Sequence, residues 1–477
     1  MSGHVADKFD LAIIGGGPGG YAAALYAGGV GLKVALVERD KVGGTCLHRG
    51  CIPAKELLET AHVFRTVAEA KEFGIQTEAP TVDFSVSQAR KQKIIDQLTK
   101  GLTGLLKARK VTVFDGTGTL GPNRTVTVSG GSGDGATFTA DHVVLAAGSA
   151  VRSIPGFDVD GKVVMTSDEV LTMDTIPQSA VVIGGGAIGC EFASMLSDLG
   201  AQVTVLEALP QMLPGCDADV VDVVARSFRR RGIDVRTGVT VKGHTPGDKG
   251  TTVQFGEGEQ VTADVVVMSV GRRPVSESLG LDDTAVEVDE SGFVVVDEYL
   301  RTPEDGVYAV GDLIAVRGMN GPHPALAHVG FAEAMIAVQH MLGEDPVPLD
   351  YTGIPWCIYS HPEVAYAGLS EQAAKDAGFE VVVSKHKFAG NGRAMIIGET
   401  DGMVKVIAEK TADGKAGRIL GVHMVGPWVT EQLGAGYLSV NWEATPDDLA
   451  RLIQPHPTLS EMFGETAMSL TGRGLHG

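Results

Sequence analysis

The stretch "FDLAIIGGGPGGYAAALYAGGVGLKVALVERD", Phe9 to Asp40, decides the fold. It runs from an apolar β segment into a cluster of glycines. A small-residue helix follows, then a second β segment that ends in an acid. Its glycines, Gly15, Gly17 and Gly20, spell G-x-G-x-x-G directly after the first strand. Each has its own physical role. The first permits a tight turn, the second lets the backbone approach a pyrophosphate, and the third lets the helix pack close to the strand. The helix start offers uncommitted N–H groups and a partial positive charge to phosphates. Glu38, at the end of the second strand, stands where a carboxylate accepts hydrogen bonds from ribose hydroxyls.

The pattern occurs twice. "SAVVIGGGAIGCEFASMLSDLGAQVTVLEALP" (179–210) repeats strand, glycine turn, helix and strand, with Gly184, Gly186 and Gly189. Ile188 lies inside this second motif, and Glu207 falls at the same offset from Gly184 as Glu38 does from Gly15. One such motif is weak, because glycine turns are common between strands and helices. Two copies with matched acids imply two dinucleotide sites. A carboxylate at 207 also repels a 2′-phosphate, which favours NAD over NADP.

Composition bounds the rest. A chain of 477 residues, 44% hydrophobic and 21% charged, is long enough for several domains with ordinary cores. Its net charge of −20 argues against a nucleic-acid partner, which calls for a basic face. Five cysteines do not make a secreted disulfide framework, so a reducing cytoplasm is expected. No cationic start with a long apolar run opens the chain, so neither a signal peptide nor a membrane span is expected.

Between and after the two motifs, "TAHVFRTVAEAKEF" and "VSQARKQKIIDQLTKGLTGLLKARK" have helical periodicity. "VTVFDGTGTL", "RTVTVSGGSGDGATFTADHVVLAAGS" and "TVQFGEGEQVTADVVVMSVG" read as hairpin strands with glycine turns, and 129–135 as a loose tip. The texture changes near Thr352, where a third region of strands and helices begins.

"GGTCLHRGCIPAK" (43–55) holds two of the five cysteines. On a regular helix, five residues turn through about 500°, leaving Cys46 and Cys51 roughly 140° apart. A bond between them therefore needs a non-helical turn, which Gly43, Gly44 and Gly50 make easy. Pro53 suits the first position of the following helix, so Cys51 sits at a helix start that stabilises a thiolate. A structural staple would close too small a loop to stabilise much. A metal site lacks a second Cys pair, although His48 lies between the two, and no metal is expected. A redox pair is the favoured reading. Cys190, Cys216 and Cys357 lack any partner pattern and read as small buried hydrophobes. "QPHPTLSE" offers His456 and Glu461: either a base oriented by a carboxylate, or a loop histidine before a helix capped by Thr458 or Ser460.

These residues resemble the flavoprotein disulfide reductases nearly end to end. The most specific marks are "GGTCLHRGCIPAK", "HPTLSE", "VYAVGDL", "GRRP" and "DGMVKVIAEK". The resemblance implies an α/β fold with two Rossmann-like dinucleotide-binding domains and a C-terminal α+β dimerisation domain. Residues 1–150 and 278–350 would form the FAD domain, 151–277 the NAD domain and 351–477 the interface domain. It implies FAD at Gly15, Gly17, Gly20, Glu38, Lys55, Gly118, Ala147, Gly148, Ser149 and Asp312, with the backbone of Ala325, Leu326, Ala327 and His328. It implies NAD at Gly184, Gly186, Ile188, Gly189, Glu191, Glu207 and Gly271. Lys55 and Glu191 resemble the pair at the reactive edge of the flavin. Cys51 resembles the cysteine beside the flavin, and Cys46 the one that exchanges with substrate. His456 and Glu461 resemble the base dyad that serves the other subunit of a homodimer.

The branch resembled most oxidises protein-bound dihydrolipoamide. Its partners would be lipoyl domains and the E2 core of 2-oxoacid dehydrogenase complexes, or the glycine cleavage system. Three departures stand out: His48-Arg49 where Asn-Val is usual, Val275 where Asn is frequent, and a longer loop over 315–324.

Overall fold

The structure, a computed structural model, describes residues 7–319 and 321–476. The first six residues of the expected N-terminal domain, Asn320 of the 315–324 loop, and Gly477 lie outside the described residues. The chain divides into two compact units. The first runs from the N-terminal strand through Glu56, then Ser85–Arg152 and Gly271–Tyr351. The second holds Leu57–Phe84, Ser153–Val270 and the chain from Thr352 onward.

The first unit is built on strand β1 (Asp7–Ile14), helix α1 (Pro18–Gly29) and strand β2 (Val34–Glu38). A short helix α2 (Gly44–Arg49) leads into helix α3 (Cys51–Glu69), which begins in this unit, and helix α4 (Phe84–Ala108) follows. Strands β3 (Thr112–Asp115), β4 (Thr117–Gly121), β5 (Thr125–Ser129) and β6 (Thr137–Leu145) complete the set. The sheet runs β3-β2-β1-β6-β5-β4, with Val307–Ala309 also paired to β6. Along that order β3, β2, β1 and β6 pair in parallel, as does Val307–Ala309, so the ends of β1, β2 and β6 point the same way. Loops at those carboxyl ends form the crevice in which such sheets bind ligands. The inner strands are apolar over 11–14, 34–37 and 143–145, as strands covered on both faces require.

Two local expectations are corrected. "VTVFDGTGTL" is not a hairpin: β3 joins β2 in parallel, while β4 pairs with β5. Gly116 at φ +150° lets the chain switch partners between them. The 129–135 tip is not loose, because Ser132 donates from its backbone N–H to Asp115 at 3.0 Å and Gly130 to Asp134 at 2.7 Å.

The second unit repeats the arrangement. A five-stranded parallel sheet places Ser179–Ile183 at its centre, flanked by Gln202–Glu207 and Val265–Met268. Helix Ala187–Asp198 follows the central strand. A three-stranded antiparallel sheet packs Val253, Phe255 and Ala263 into the same apolar cluster as Val181, Ile183 and Val266. The chain from Thr352 builds an antiparallel five-stranded sheet whose core holds Val404, Val422, Met424, Leu433 and Phe463. Among the described residues, no helix is long and apolar enough to cross a membrane.

Candidate active site and dinucleotide turns

At the first turn, Gly15 has φ +108°, and a Cβ there would lie 2.3 Å from the Ala146 carbonyl. A Cβ on Gly20 would lie 1.8 Å from the Gly15 carbonyl oxygen. Gly17 faces open space and caps α1 without any side-chain hydrogen bond. The first turn of α1 therefore keeps its N–H groups for an anion. Glu38 accepts a 2.6 Å bond from Gly16 N–H and a 2.8 Å bond from Asp40 N–H, one on each oxygen. So the carboxylate also pins the turn. Each oxygen keeps a second lone pair for a ribose hydroxyl. Gly118 packs beneath, with Ile14 and Val37 both 3.1 Å from where its Cβ would be.

Farther along the same unit, the Ser149 hydroxyl donates to Asp312 at 2.6 Å. Arg272 donates to the Ser149 hydroxyl at 2.6 Å and to its carbonyl at 2.7 Å. Gly148 holds φ +69°, and its carbonyl accepts from Val275 N–H at 3.0 Å, so Val275 acts there through its backbone. The Asp312 turn is held from behind: Gly311 N–H donates to Glu333 at 2.7 Å. Glu333 is fully buried and also bonds Tyr351 at 2.8 Å and His323 at 2.6 Å. His323 belongs to the long loop, so this contact ties the loop to the turn. Ala325 and Leu326 lead into helix Ala327–Met341, which opens with Ala327 and His328.

The cysteine loop is also built from the first turn. Gly43, at φ +109°, donates to the Gly16 carbonyl at 2.8 Å. A Cβ on Gly44 would come within 2.6 Å of Gly17 Cα. Cys46 rides on α2, Gly50 breaks the helix at φ −143° and ψ −110°, and Cys51 opens α3. The expected break is thus the single residue Gly50 rather than an extended turn. Pro53 sits in the third helical position, not the first. A proline fits there because first-turn N–H groups have no intrahelical acceptor.

Both cysteines are thiols. A hydrogen bond with Cys51, then burial, hold Cys46 well above the usual thiol range, and Lys55 opposes this. Tyr21, on α1, is pushed up to about 12 by burial and by the two neighbouring thiols. Its ring meets Phe331 with centroids 5.6 Å apart. The two unexplained residues of the loop also find partners: His48 bonds the Val42 carbonyl at 2.9 Å, and Arg49 pairs with Asp40 at 2.8 Å. They lash the loop to the segment that follows Glu38.

In the second unit, the second turn repeats the first. Gly184 has φ +104°, and its Cβ would lie 2.3 Å from the Ser269 carbonyl; that of Gly189 would lie 1.9 Å from Gly184 O. Gly186 faces open space and, like Gly17, caps its helix without a side-chain bond. Glu207 accepts from Gly185 N–H at 2.6 Å and Leu209 N–H at 2.7 Å. Ile188 is exposed on the first turn of the helix. Glu191 is buried on that helix and accepts from Tyr359 N–H at 2.9 Å. Lys55 and Glu191, expected as a pair, belong to different units. Gly271, expected at the NAD site, is in the first unit, at φ +100° with open space where a Cβ would go.

His456 and Glu461 do form a dyad. Nδ1–H donates to Glu461 Oε2 at 2.8 Å, which leaves Nε2 free to take a proton. Thr458 accepts from Glu461 N–H at 3.2 Å, so the capping role belongs to Thr458, while Ser460 makes no side-chain cap. Asn391 donates to Glu461 Oε1 at 3.1 Å. Cys190 and Cys216 are buried as expected, but Cys357 is only half-buried, with its sulfur 3.9 Å from the Thr430 carbonyl. Tyr21, Arg272, Glu333 and Asn391 are the functional candidates that sequence reasoning missed. Asn391 left a signal as an N-cap residue type before a short helix, and Arg272 lies within the "GRRP" stretch.

The two uncapped glycine turns with their anchored acids suit dinucleotide pyrophosphates, and the Ser149–Asp312 pair suits a polyhydroxyl chain. Residues 9–334 match the family described as pyridine nucleotide-disulphide oxidoreductase, and residues 354–467 match its dimerisation domain. A dihydrolipoyl dehydrogenase from Bacillus subtilis is 42% identical, over 99% of this chain and 100% of that protein. One from Haloferax volcanii is 38% identical, over 99% and 98%. The crystal structure of LpdA from Mycobacterium tuberculosis superposes with a TM-score of 0.88 at 26% identity, covering 98% of this chain and all of that one. The flavoprotein disulfide reductase RclA from Escherichia coli gives 0.84 at 26% identity, over 96% and 99%. With a family match over most of its length and relatives this similar end to end, the chain belongs to the pyridine nucleotide-disulphide oxidoreductases.

Proposed function

We propose that this chain is a dihydrolipoyl dehydrogenase, oxidising protein-bound dihydrolipoamide with NAD⁺ as final acceptor. The observation that carries the reading is the Cys46–Cys51 pair, held side by side at the head of α3 by a loop hydrogen-bonded to the first dinucleotide turn. FAD and NAD are its cofactors; FAD, when bound, supplies the two-electron chemistry that links a dithiol to NAD⁺. Residues 1–150 with 278–350 hold FAD, 151–277 hold NAD, and 351–477 form the interface of a homodimer. Gly17, Glu38, Gly118, Ser149 and Asp312 hold FAD, together with Lys55 and the 325–328 backbone. Gly186, Ile188, Glu191, Glu207 and Gly271 hold NAD.

In the oxidised enzyme the two cysteines form a disulfide. His456 Nε2 takes a proton from one lipoyl thiol, and Glu461 stabilises the imidazolium. The resulting lipoyl sulfur bonds to Cys46 Sγ, and the Cys46–Cys51 bond breaks with its electron pair on Cys51. The second lipoyl thiol then attacks the lipoyl sulfur of the mixed disulfide and closes the lipoyl ring; the bond to Cys46 breaks, and Cys46 leaves with the proton that this thiol gives up. Two thiols on substrate have become a disulfide, and the disulfide on protein has become a dithiol. Redox-active thiols with few other cysteines fit a reducing cytoplasm. Lipoyl domains and E2 cores of 2-oxoacid dehydrogenase complexes, or the glycine cleavage system, are the partners.

Steady-state turnover tests this directly. Dihydrolipoamide with NAD⁺ is expected to be used far faster than glutathione disulfide with NADPH; the reverse preference overturns the reading. His456→Gln should lower dihydrolipoamide turnover by roughly 10²–10⁴ while NADH-to-dye activity persists. Full dihydrolipoamide turnover in that variant removes His456 from the chemistry.

A further inference from the structure

The base dyad is anchored by a third side chain. We infer that Asn391 is a positioning residue for His456, acting through Glu461. The inference rests on the functional reading above and deepens it.

Every polar atom of the Asn391 side chain is committed. Its Oδ1 accepts from Ala394 N–H at 2.9 Å and so caps helix Gly392–Ile397. Its Nδ2 donates to the Thr458 carbonyl at 3.0 Å and to Glu461 Oε1 at 3.1 Å. The cap accounts for the oxygen alone. Both amide bonds go to the 456–461 segment, far away in sequence. Glu461 is then held at each oxygen, by Asn391 on one side and His456 on the other.

Exposure falls steadily along this line. The His456 side chain is 74% exposed and Glu461 13%, while Asn391 as a residue is 3% exposed. Within its own chain the imidazole has little packing to hold its ring. Within the chain its orientation comes from the buried end, through a carboxylate bonded at both oxygens. Thr458 adds to this, because Asn391 holds its carbonyl while its hydroxyl accepts from Glu461 N–H.

The residue type matters as well as the place. An amide donates at every pH and brings no charge. Glu461 therefore keeps its full negative charge for the imidazolium that forms when His456 accepts a proton. A lysine or arginine at 391 would hold the carboxylate equally well but would neutralise it, making the base weaker. A neutral, buried donor separates orientation from charge, much as second-layer hydrogen bonds orient catalytic ligands elsewhere.

Two substitutions isolate the amide. Asn391→Ser keeps an oxygen suited to the helix cap but removes the donor to Glu461. Asn391→Asp keeps the cap and sets a buried carboxyl, able to donate while protonated, against Glu461. Asn391→Ser is expected to lower kcat for dihydrolipoamide by about ten- to a hundredfold, the size of one lost bond to a charged group, with NADH-to-dye turnover unchanged. Asn391→Asp is expected to retain dihydrolipoamide turnover better than Asn391→Ser, because a buried carboxyl set against Glu461 holds its proton and donates as the amide did. In a His456→Gln background, Asn391→Ser should have no further effect, since both act at one group.

Equal loss of dihydrolipoamide and dye activity in Asn391→Ser would show a merely structural role and overturn the inference. So would an Asn391→Asp enzyme no more active on dihydrolipoamide than Asn391→Ser, or additive losses in the double variant. Wild-type enzyme without dihydrolipoamide turnover sinks the functional reading and this role with it. Wild-type turnover with indifferent variants sinks this role alone.

Discussion

The two glycine turns agree almost atom for atom, and then diverge three residues into the loop that follows each. Both first glycines sit near φ +105° beneath a carbonyl, both third glycines touch the carbonyl of the first, and both acids pin the middle of their turn. The agreement continues past the acid: Gly43 N–H donates to Gly16 O, and Leu213 N–H donates to Gly185 O, each at 2.8 Å. Gly43 and Leu213 both have positive φ. Three residues on, each loop even carries a cysteine, Cys46 in one and Cys216 in the other. Only then do they part. After Cys46 come a helix break at Gly50 and a second thiol. After Cys216 comes Asp217, the side-chain cap of helix Ala218–Arg230. Cys216 itself is buried, pushed up to about 12 by burial against an opposing hydrogen bond with Tyr366. The same backbone frame thus carries a redox centre in one unit and a packed thiol in the other. What differs is the second cysteine and the break that presents it.

The largest expected effect tests that difference. Cys46→Ser should reduce dihydrolipoamide turnover to background, with FAD retained and NADH-to-dye activity intact. Cys216→Ser should leave both activities within about twofold, costing at most ~1–2 kcal/mol of stability as a small buried change. A Cys216→Ser enzyme that lost dihydrolipoamide turnover would break the contrast, since the second loop would then share in the chemistry.

The next test asks which turn serves which cofactor. A Cβ at Gly20 or Gly189 would lie under 2 Å from backbone oxygen, so either alanine must displace its strand–helix packing. Gly20→Ala is expected to give protein without flavin colour. Gly189→Ala should stay yellow and be reduced by dihydrolipoamide in a single turnover, yet lose NAD⁺-dependent turnover by at least about a hundredfold, a few kcal/mol of lost binding. The opposite pattern, a colourless Gly189→Ala and a yellow Gly20→Ala, would exchange the two sites.

The extent to which the sequence announces all this follows from the distance between partners. The turns were legible because glycine spacing, strand and acid lie within one local unit. The redox loop was legible for the same reason, its two thiols being five residues apart. The misread hairpin at 111–120 failed on a non-local choice. Gly116 looks like a turn between neighbours, but β3 pairs with β2, with helices intervening in the sequence. Asn391 lies 70 residues from Glu461, and Arg272 lies 123 from Ser149, so no spacing rule reaches them. His48 and Arg49 were opaque because their partners are a backbone carbonyl and an acid made accessible only by the folded loop. The acids illustrate a subtler limit: their residue type predicted a ribose contact, but not that the same oxygens hold the turn together.

The smallest effect concerns how each loop is fastened. The first is lashed by exposed groups such as Arg49 and Asp40. The second, through Asp217, is fastened to a buried cation. Lys405, 2% exposed, bonds Asp217 at 2.8 Å, Asp219 at 2.6 Å and Glu371 at 2.8 Å. Burial alone would lower Lys405, but these three carboxylates push it up to about 12, and Lys375 with Lys405 holds Glu371 down at about 2. The signs follow. The raised lysine stabilises fully below its ordinary 10.5 and loses this as pH rises through 12. The lowered glutamate stabilises fully above its ordinary 4.5 and loses this as pH falls toward 2. The cluster thus contributes evenly between those limits. Lys405→Met should cost about 3–5 kcal/mol at pH 7, because it strands Asp217 in a buried place without its cation. It should leave the redox loop's chemistry untouched in whatever fraction stays folded. The cost should shrink as pH falls from 7 to 4, since protonation relieves the stranded Asp217 carboxylate in the variant while the wild-type ion pairs still hold. Thermal unfolding of both proteins across that range reads the difference. A gap that widened toward pH 4 would mean that Lys405 stabilises by packing its stem rather than by holding the acids.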